Sequence, residues 1–238
     1  MICELKEYIE RGKVMAKAEN QIRGSYKNIL GEYFNSSNEE KMLGKRFYPN
    51  AHATAIELGN ELGVTYDALS IGAGIIASLS PQTEWLRNLQ YAYEFVQTKK
   101  CPSQTKANNA KALAILEGSD PMLVLGKGSY KVKAFYKAIV DPYGDNLIED
   151  VNGFKDNKTN LAVIDRHAGG IYLGYPLIEK ERRQLTNWKT IHRISKGYFK
   201  VARGLNIPVN EVQAVTWHSF RNKYKGKIAM AIRKGRKQ

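Results

Sequence analysis

The sequence predicts a mainly α-helical protein of two lobes with one small β-hairpin, folded as a single domain over residues 1–238. Apolar residues recur at helical spacing over most of the chain. Asn152-Gly153, between short apolar stretches in 147–164, is the one trustworthy hairpin signal. No repeat or low-complexity linker separates the segments, so a central lobe is expected over roughly 65–174, with 1–64 and 175–238 forming the second.

In order, residues 2–33 read as helix with a break at Gly24, and Asn35-Ser36-Ser37-Asn38 as a loop whose last residue caps the next helix. An amphipathic helix follows over 51–62, closed by Gly63, and Thr65 opens another on Leu69, Ile71, Ile75, Ile76 and Leu79. Within it, Gly72-Ala73-Gly74-Ile75-Ile76-Ala77 matches the dinucleotide fingerprint on paper. It lacks the preceding strand, so close approach of two helices is the better account. Pro81 ends that helix, and Gln82 or Thr83 starts the next, which runs to about Thr98 with Leu86, Leu89, Tyr93 and Val96 inward. A helix then runs through Lys111 to Leu116, and Asp120-Pro121 starts a short one closed by Leu125-Gly126. The glycines of Gly126-Lys127-Gly128 lack P-loop spacing and open a helix on Val132, Phe135, Tyr136 and Ile139. Asp141-Pro142-Tyr143-Gly144-Asp145 is a turn, 182–204 one long helix, and Asn206-Ile207-Pro208 the start of a last helix on Val212, Val215, Thr216 and Phe220.

At 43% hydrophobic residues with no apolar run of membrane-spanning length, the chain reads as a folded, soluble protein; the polar start (Met1 to Glu10) does not read as a signal peptide. Cys3 and Cys101 have no partners at metal or redox spacing, which argues against disulfide scaffolds, zinc fingers and four-cysteine iron–sulfur clusters. A cytoplasmic setting fits this. The net charge of +14 is uneven: no acid follows Glu211, while Arg221, Lys223, Lys225, Lys227, Arg233, Lys234, Arg236 and Lys237 crowd the end, interleaved with Trp217, His218 and Tyr224. That asymmetry is the footprint of a binder of phosphate backbones, ahead of a merely solvated tail.

The chemistry concentrates in Val163-Ile164-Asp165-Arg166-His167. Asp165 stands where an N-cap belongs, so a helix dipole would keep its carboxylate ionised at neutral pH. Capping is the commonest job of such an acid, but a cap does not need Arg166 and a titratable His167 directly after it. The turn at Pro81 would hold Gln82 and Trp85 rigidly at a surface, fit to fill a gap in a base stack; an ordinary cap with Trp85 in the core accounts for it equally. Lys131 and Lys133, near a helix start, suit a phosphate, and equally a solvated basic turn.

Three pieces, in this order, resemble the helix-hairpin-helix DNA glycosylase superfamily, the endonuclease III-like group. Leu79-Ser80-Pro81-Gln82-Thr83 resembles its leucine-serine-x-glutamine-threonine turn, whose glutamine faces DNA; residues 126–139 resemble its glycine turn and Lys-x-x-x-aromatic helix. Val163-Ile164-Asp165-Arg166-His167 resembles its valine-aspartate-threonine-histidine segment, whose aspartate is catalytic. The likeness spans roughly residues 69–174. Aspartate-arginine-histidine-alanine with a late glutamine-alanine-x-x-tryptophan, here Gln213 to Trp217, also occurs in uncharacterised phage proteins, and the phage thymine pyrophosphorylases form a related branch. The namesake hairpin, leucine-proline-glycine-x-glycine, has no counterpart in 147–160. Lys155 and Lys158 are out of register for the Schiff-base lysine, which disfavours lyase activity, and the iron–sulfur cysteines are absent.

The resemblance implies a two-lobed glycosylase-like fold and a monofunctional DNA glycosylase without cofactor or metal. It would act in the cytoplasm of a bacterial or phage-infected cell on double-stranded DNA with an extruded base, away from membranes. Asp165 would be catalytic, Gln82 or Trp85 would fill the vacated stack, and Arg166 and His167 would touch phosphate or the flipped nucleotide. Trp217, His218 and Arg221 would line the pocket or strand path, and Lys131 and Lys133 would grip phosphates. Group transfer onto a modified thymine, and a non-enzymatic DNA-binding protein with a purely structural Asp165, are the alternatives.

Overall fold

The computed structural model describes residues 24–64, 67–126, 129–144 and 162–225, and these are mainly helical. Eleven α-helices follow one another among them: α1 (Tyr26–Asn35), α2 (Asn38–Glu61), α3 (Ala68–Leu79), α4 (Trp85–Thr98), α5 (Lys106–Leu116), α6 (Pro121–Val124), α7 (Tyr130–Val140), α8 (Arg166–Leu173), α9 (Glu179–Arg183), α10 (Trp188–Leu205) and α11 (Val209–Lys223). No strand occurs among the described residues. The expected hairpin turn at Asn152-Gly153, with Lys155 and Lys158, lies outside them, as do the first twenty-three residues, Lys127-Gly128 and the tail beyond Lys225.

Several boundaries differ from the sequence reading, each for a local reason. The cap before α2 is Ser37, not Asn38: its hydroxyl accepts from the Glu40 amide at 3.1 Å while the Glu40 carboxylate accepts from the Ser37 amide at 2.9 Å, a full capping box. From there α2 runs straight through Pro49 to Glu61. The hydrogen bond that proline forfeits is offset by burial on both sides of it, of Gly44 and Tyr48 before and Ala51, Ala55 and Leu58 after. Helix α3 starts at Ala68 because Asp67 caps it, its carboxylate accepting from the Ser70 amide. Helix α4 starts only at Trp85; Asn88, Ala92, Phe95 and Val96 are buried and Leu89 and Tyr93 pack against the same core as expected, while Leu86, expected inward, lies in the first turn 74% exposed. The helix expected over 182–204 is broken, with a 3-10 turn at Gln184–Thr186 and a fresh start at Trp188 under the Asn187 side chain.

Two apolar clusters hold the structure together. The first joins α2 to α3, α4, α5 and α7 through Ala51, Leu58, Ile75, Phe95, Ile115 and Ile139. The second joins α1, α8, α10 and α11 through Ile29, Ile171, Ile194, Tyr198, Val212 and Phe220. Helix α2 packs along both α3 and α11, and α11 contributes Ala214 to the first cluster and Val212 and Phe220 to the second. At the α2–α3 crossing a Cβ on Gly72 would run into the Ala55 carbonyl oxygen, so the glycine of the rejected fingerprint serves close helix packing. No described helix is long and apolar enough to cross a membrane.

Candidate active site around Asp165

The segment 162–164 is neither helix nor strand, and its successive side chains enter different clusters. Ala162 and Ile164 enter the second cluster and Val163 the first, so the peptide threads the seam between them and delivers Asp165 there. Asp165 is the N-cap of α8: Oδ1 accepts from the amides of His167 and Ala168, both at 2.9 Å, and Oδ2 accepts from His167 Nδ1 at 3.0 Å. A carboxylate only accepts, so Nδ1 carries the hydrogen. The two side chains keep 13% and 9% of their surface exposed. Burial alone would raise the Asp165 pKa. The charge and hydrogen bond of His167, the Lys131 ammonium and the Ala168 amide outweigh it and hold the carboxyl far below the usual carboxylate range. This is a permanent anion at the positive end of a helix.

Around it lies a connected set of rings. His167 meets Trp217 edge to face at 6.0 Å between centroids. Phe47 of α2 lies 5.9 Å from Trp217, 5.1 Å from Trp85 and 6.0 Å from His218. The Arg221 guanidinium covers Trp217 at 4.4 Å, and one of its nitrogens donates to both oxygens of Glu84, at 2.9 and 3.0 Å. Behind the rings, the buried Tyr48 hydroxyl donates to Gln213 Oε1 at 2.8 Å. Burial raises the Tyr48 and Tyr198 pKa values, and the Asp165 charge adds to both shifts, so both phenols stay neutral beside the anion. His218 is shifted the other way, by burial and by Arg221, against the pull of Glu40; its Nε2 is buried with no partner.

The structure thus brings Asp165, His167, Trp85, Trp217, His218 and Arg221 into one neighbourhood, with Lys131 exposed at its edge and Arg166 exposed on the outer face of α8. Trp85 takes the core side of its two readings, half-buried against Phe47 and Phe135. Lys133 is only 7% exposed, and its charge partner is Asp120, because two positions along a helix separate it from Lys131 by more than half a turn. Burial lowers its pKa against the pull of Asp120. Two residues of the cluster went unread in the sequence. Phe47 and Tyr48 sit in the first half of α2, where the capping box at Ser37 and Glu40 was the available signal.

Gln82 is exposed, as a group reaching outward requires, and sits at φ 60°. Ser80-Pro81-Gln82-Thr83 is a type II turn closed by the Thr83 amide on the Ser80 carbonyl at 3.1 Å, with Gln82 at the position that favours glycine. Gln104, from the loop that leads into α5, fixes the turn by donating to the Leu79 carbonyl at 2.9 Å and to Thr83 Oγ1 at 2.8 Å. Gln82→Gly is therefore expected to stabilise the fold by about 1 kcal/mol in chemical denaturation. If the side chain works on a ligand, the same variant loses activity. A gain in stability with full activity would make the strained glutamine incidental.

Fold and site together define a mainly helical protein with a buried, ionised carboxylate set against an imidazole and an aromatic wall. The chain belongs to DUF7178, a family of unknown function, whose sequence model matches residues 12–224. No curated protein and no solved structure matches it.

Proposed function

We propose that the protein is a monofunctional DNA glycosylase that hydrolyses the N-glycosidic bond of a damaged or modified base extruded from the duplex. The observation that carries this reading is the Asp165 carboxylate, held ionised at the seam of two clusters and facing the ring system through His167 and Trp217. Cleavage of that bond builds positive charge on the deoxyribose, and a preorganised anion stabilises such charge without reorganisation cost. The base must first leave the stack, at a cost of a few kcal/mol. Trp217, with Phe47 and Trp85 behind it, supplies the aromatic surface that receives it, and Gln82, on its braced turn, enters the gap. Lys131, Arg166 and Arg221 hold phosphates, in keeping with a net charge of +14.

An abasic-site assay tests the reading. Full-length protein is incubated with duplexes containing uracil or alkylated bases and with phage DNA carrying modified pyrimidines, then treated with alkali. Strand breaks that require alkali are expected. Intact strands containing a nucleoside of changed mass would replace hydrolysis by group transfer onto the base, and intact, unaltered DNA that is still bound would remove the enzymatic reading.

Glu84 offers a second check. It is 75% exposed and occupies Arg221 much as a phosphate oxygen would. Glu84→Gln is expected to tighten DNA binding several-fold at low salt and to steepen its salt dependence by about one counterion. Fluorescence anisotropy measures both; unchanged affinity would place Arg221 outside the DNA path.

A further inference from the structure

We propose that His167, oriented by Asp165, is the general base of this site, its Nε2 taking the proton of the attacking water. The inference rests on the glycosylase reading for the identity of the electrophile, and on geometry for the rest. Asp165 is poorly placed to accept that proton itself. Of the four or so acceptor positions of a carboxylate, two backbone amides and the His167 ring take three, leaving one to orient a water. A carboxylate that caps a helix and already accepts these three hydrogen bonds is also a weak proton acceptor near neutral pH. Imidazole is the side chain suited to that task.

With Nδ1–H committed to Asp165, the lone pair of the neutral ring lies on Nε2, and no second hydrogen bond of His167 forms among the described residues. The edge-to-face contact with Trp217 fixes the ring plane. In the step, a water oxygen bonds C1′ as the C1′–N bond breaks and its electron pair departs with the base. The water proton passes to Nε2, and Asp165, unprotonated throughout, stabilises the resulting imidazolium. The other charged or titratable groups facing the pair are Tyr48 of α2, Lys131 of α7 and Tyr198 of α10, with His218 and Arg221 of α11 beyond Trp217.

His167→Asn is the discriminating variant, because the Asn amide can still donate to Asp165 from the Nδ1 position while Nε2 is deleted. Single-turnover excision is expected to fall about 100-fold or more. The wild-type rate should rise with pH and level off as one group deprotonates, and the variant's profile should lose that limb. Excision at the wild-type rate with an unchanged profile would overturn the proposal and leave Asp165 acting alone. A second measurement does not depend on activity: nitrogen NMR of the full-length protein at pH 8, with His167 assigned through the variant. Nδ1–H with an unprotonated Nε2 is the expected tautomer. A hydrogen on Nε2 would overturn the base role, whether or not any duplex is cut. Absence of excision by wild-type protein together with the expected tautomer would instead count against the glycosylase reading.

Discussion

Asp165→Asn is expected to reduce excision about 1000-fold or more while the protein stays folded and bound to DNA. The Asn carbonyl oxygen replaces Oδ1 on the amides of His167 and Ala168, so the cap of α8 survives. What fails is electrostatic. The fixed negative charge is gone, and the Asn amide, now a donor opposite His167, forces Nδ1 to accept and moves the ring hydrogen to Nε2. One atom change thus removes both the anion and the lone pair. Asp165→Ser, a good cap that cannot reach His167, should be equally inactive. Excision by either variant at the wild-type rate would reduce Asp165 to a cap.

The same residue sets a pH limb of stability. Its folded pKa lies below its unfolded value, so its contribution is complete above the ordinary carboxylate range and is lost as pH falls through that range towards the folded value. Urea midpoints compared at pH 7 and pH 3 should therefore fall further for the wild type than for Asp165→Asn.

Local features of this site were legible in sequence and long-range ones were not. Asp165, the cap and His167 lie within three positions of one another, so propensity alone placed them at a helix start. Helices α5 and α6, capped by the side chains of Thr105 and Asp120, were legible for the same reason, and α7 and α11 from the helical spacing of their buried residues. Phe47, the hub of the ring system, was not. Pro49 argues against a helix there, and the apolar residues nearest the start of α2, Met42 and Leu43, face solvent, which masks the inward line of Gly44, Tyr48 and Ala51. Leu86 went the other way: it lies in the first turn of α4, which starts only at Trp85, and faces solvent while Leu89, Tyr93 and Val96 pack inward. Lys131 and Lys133 looked alike as neighbouring cations, yet helix geometry sends one towards Asp165 and the other towards Asp120. Which rings would meet Asp165 depended on α2 packing against both α3 and α11, a tertiary fact that no local pattern encodes.

That dependence makes the α2–α3 crossing the place where a single methyl group should do the most damage to stability. The two helices meet through reciprocal contacts: a Cβ on Gly72 would strike the Ala55 carbonyl oxygen, and a Cβ on Gly59 the Ala68 carbonyl oxygen. Positions 55 and 59, and 68 and 72, are each one turn apart, so both small-residue ridges would be blocked by backbone, which cannot rotate away as a side chain can. Gly72→Ala is expected to cost about 3 kcal/mol or more, at the upper end for overpacking. For a domain of this size that lowers Tm by roughly 6–12 °C. Gly31→Ala is the matched control: its Cβ would meet nothing within 4 Å, and helix propensity should raise stability by up to about 1 kcal/mol. The strain also reaches the site, because α2 carries Phe47 and Tyr48 while the end of α3 carries the turn that projects Gln82. In protein that remains folded, Gly72→Ala should weaken excision although residue 72 lies outside the ring system around Asp165. Wild-type melting of this variant would show that the two backbones do not approach as closely as the glycines allow.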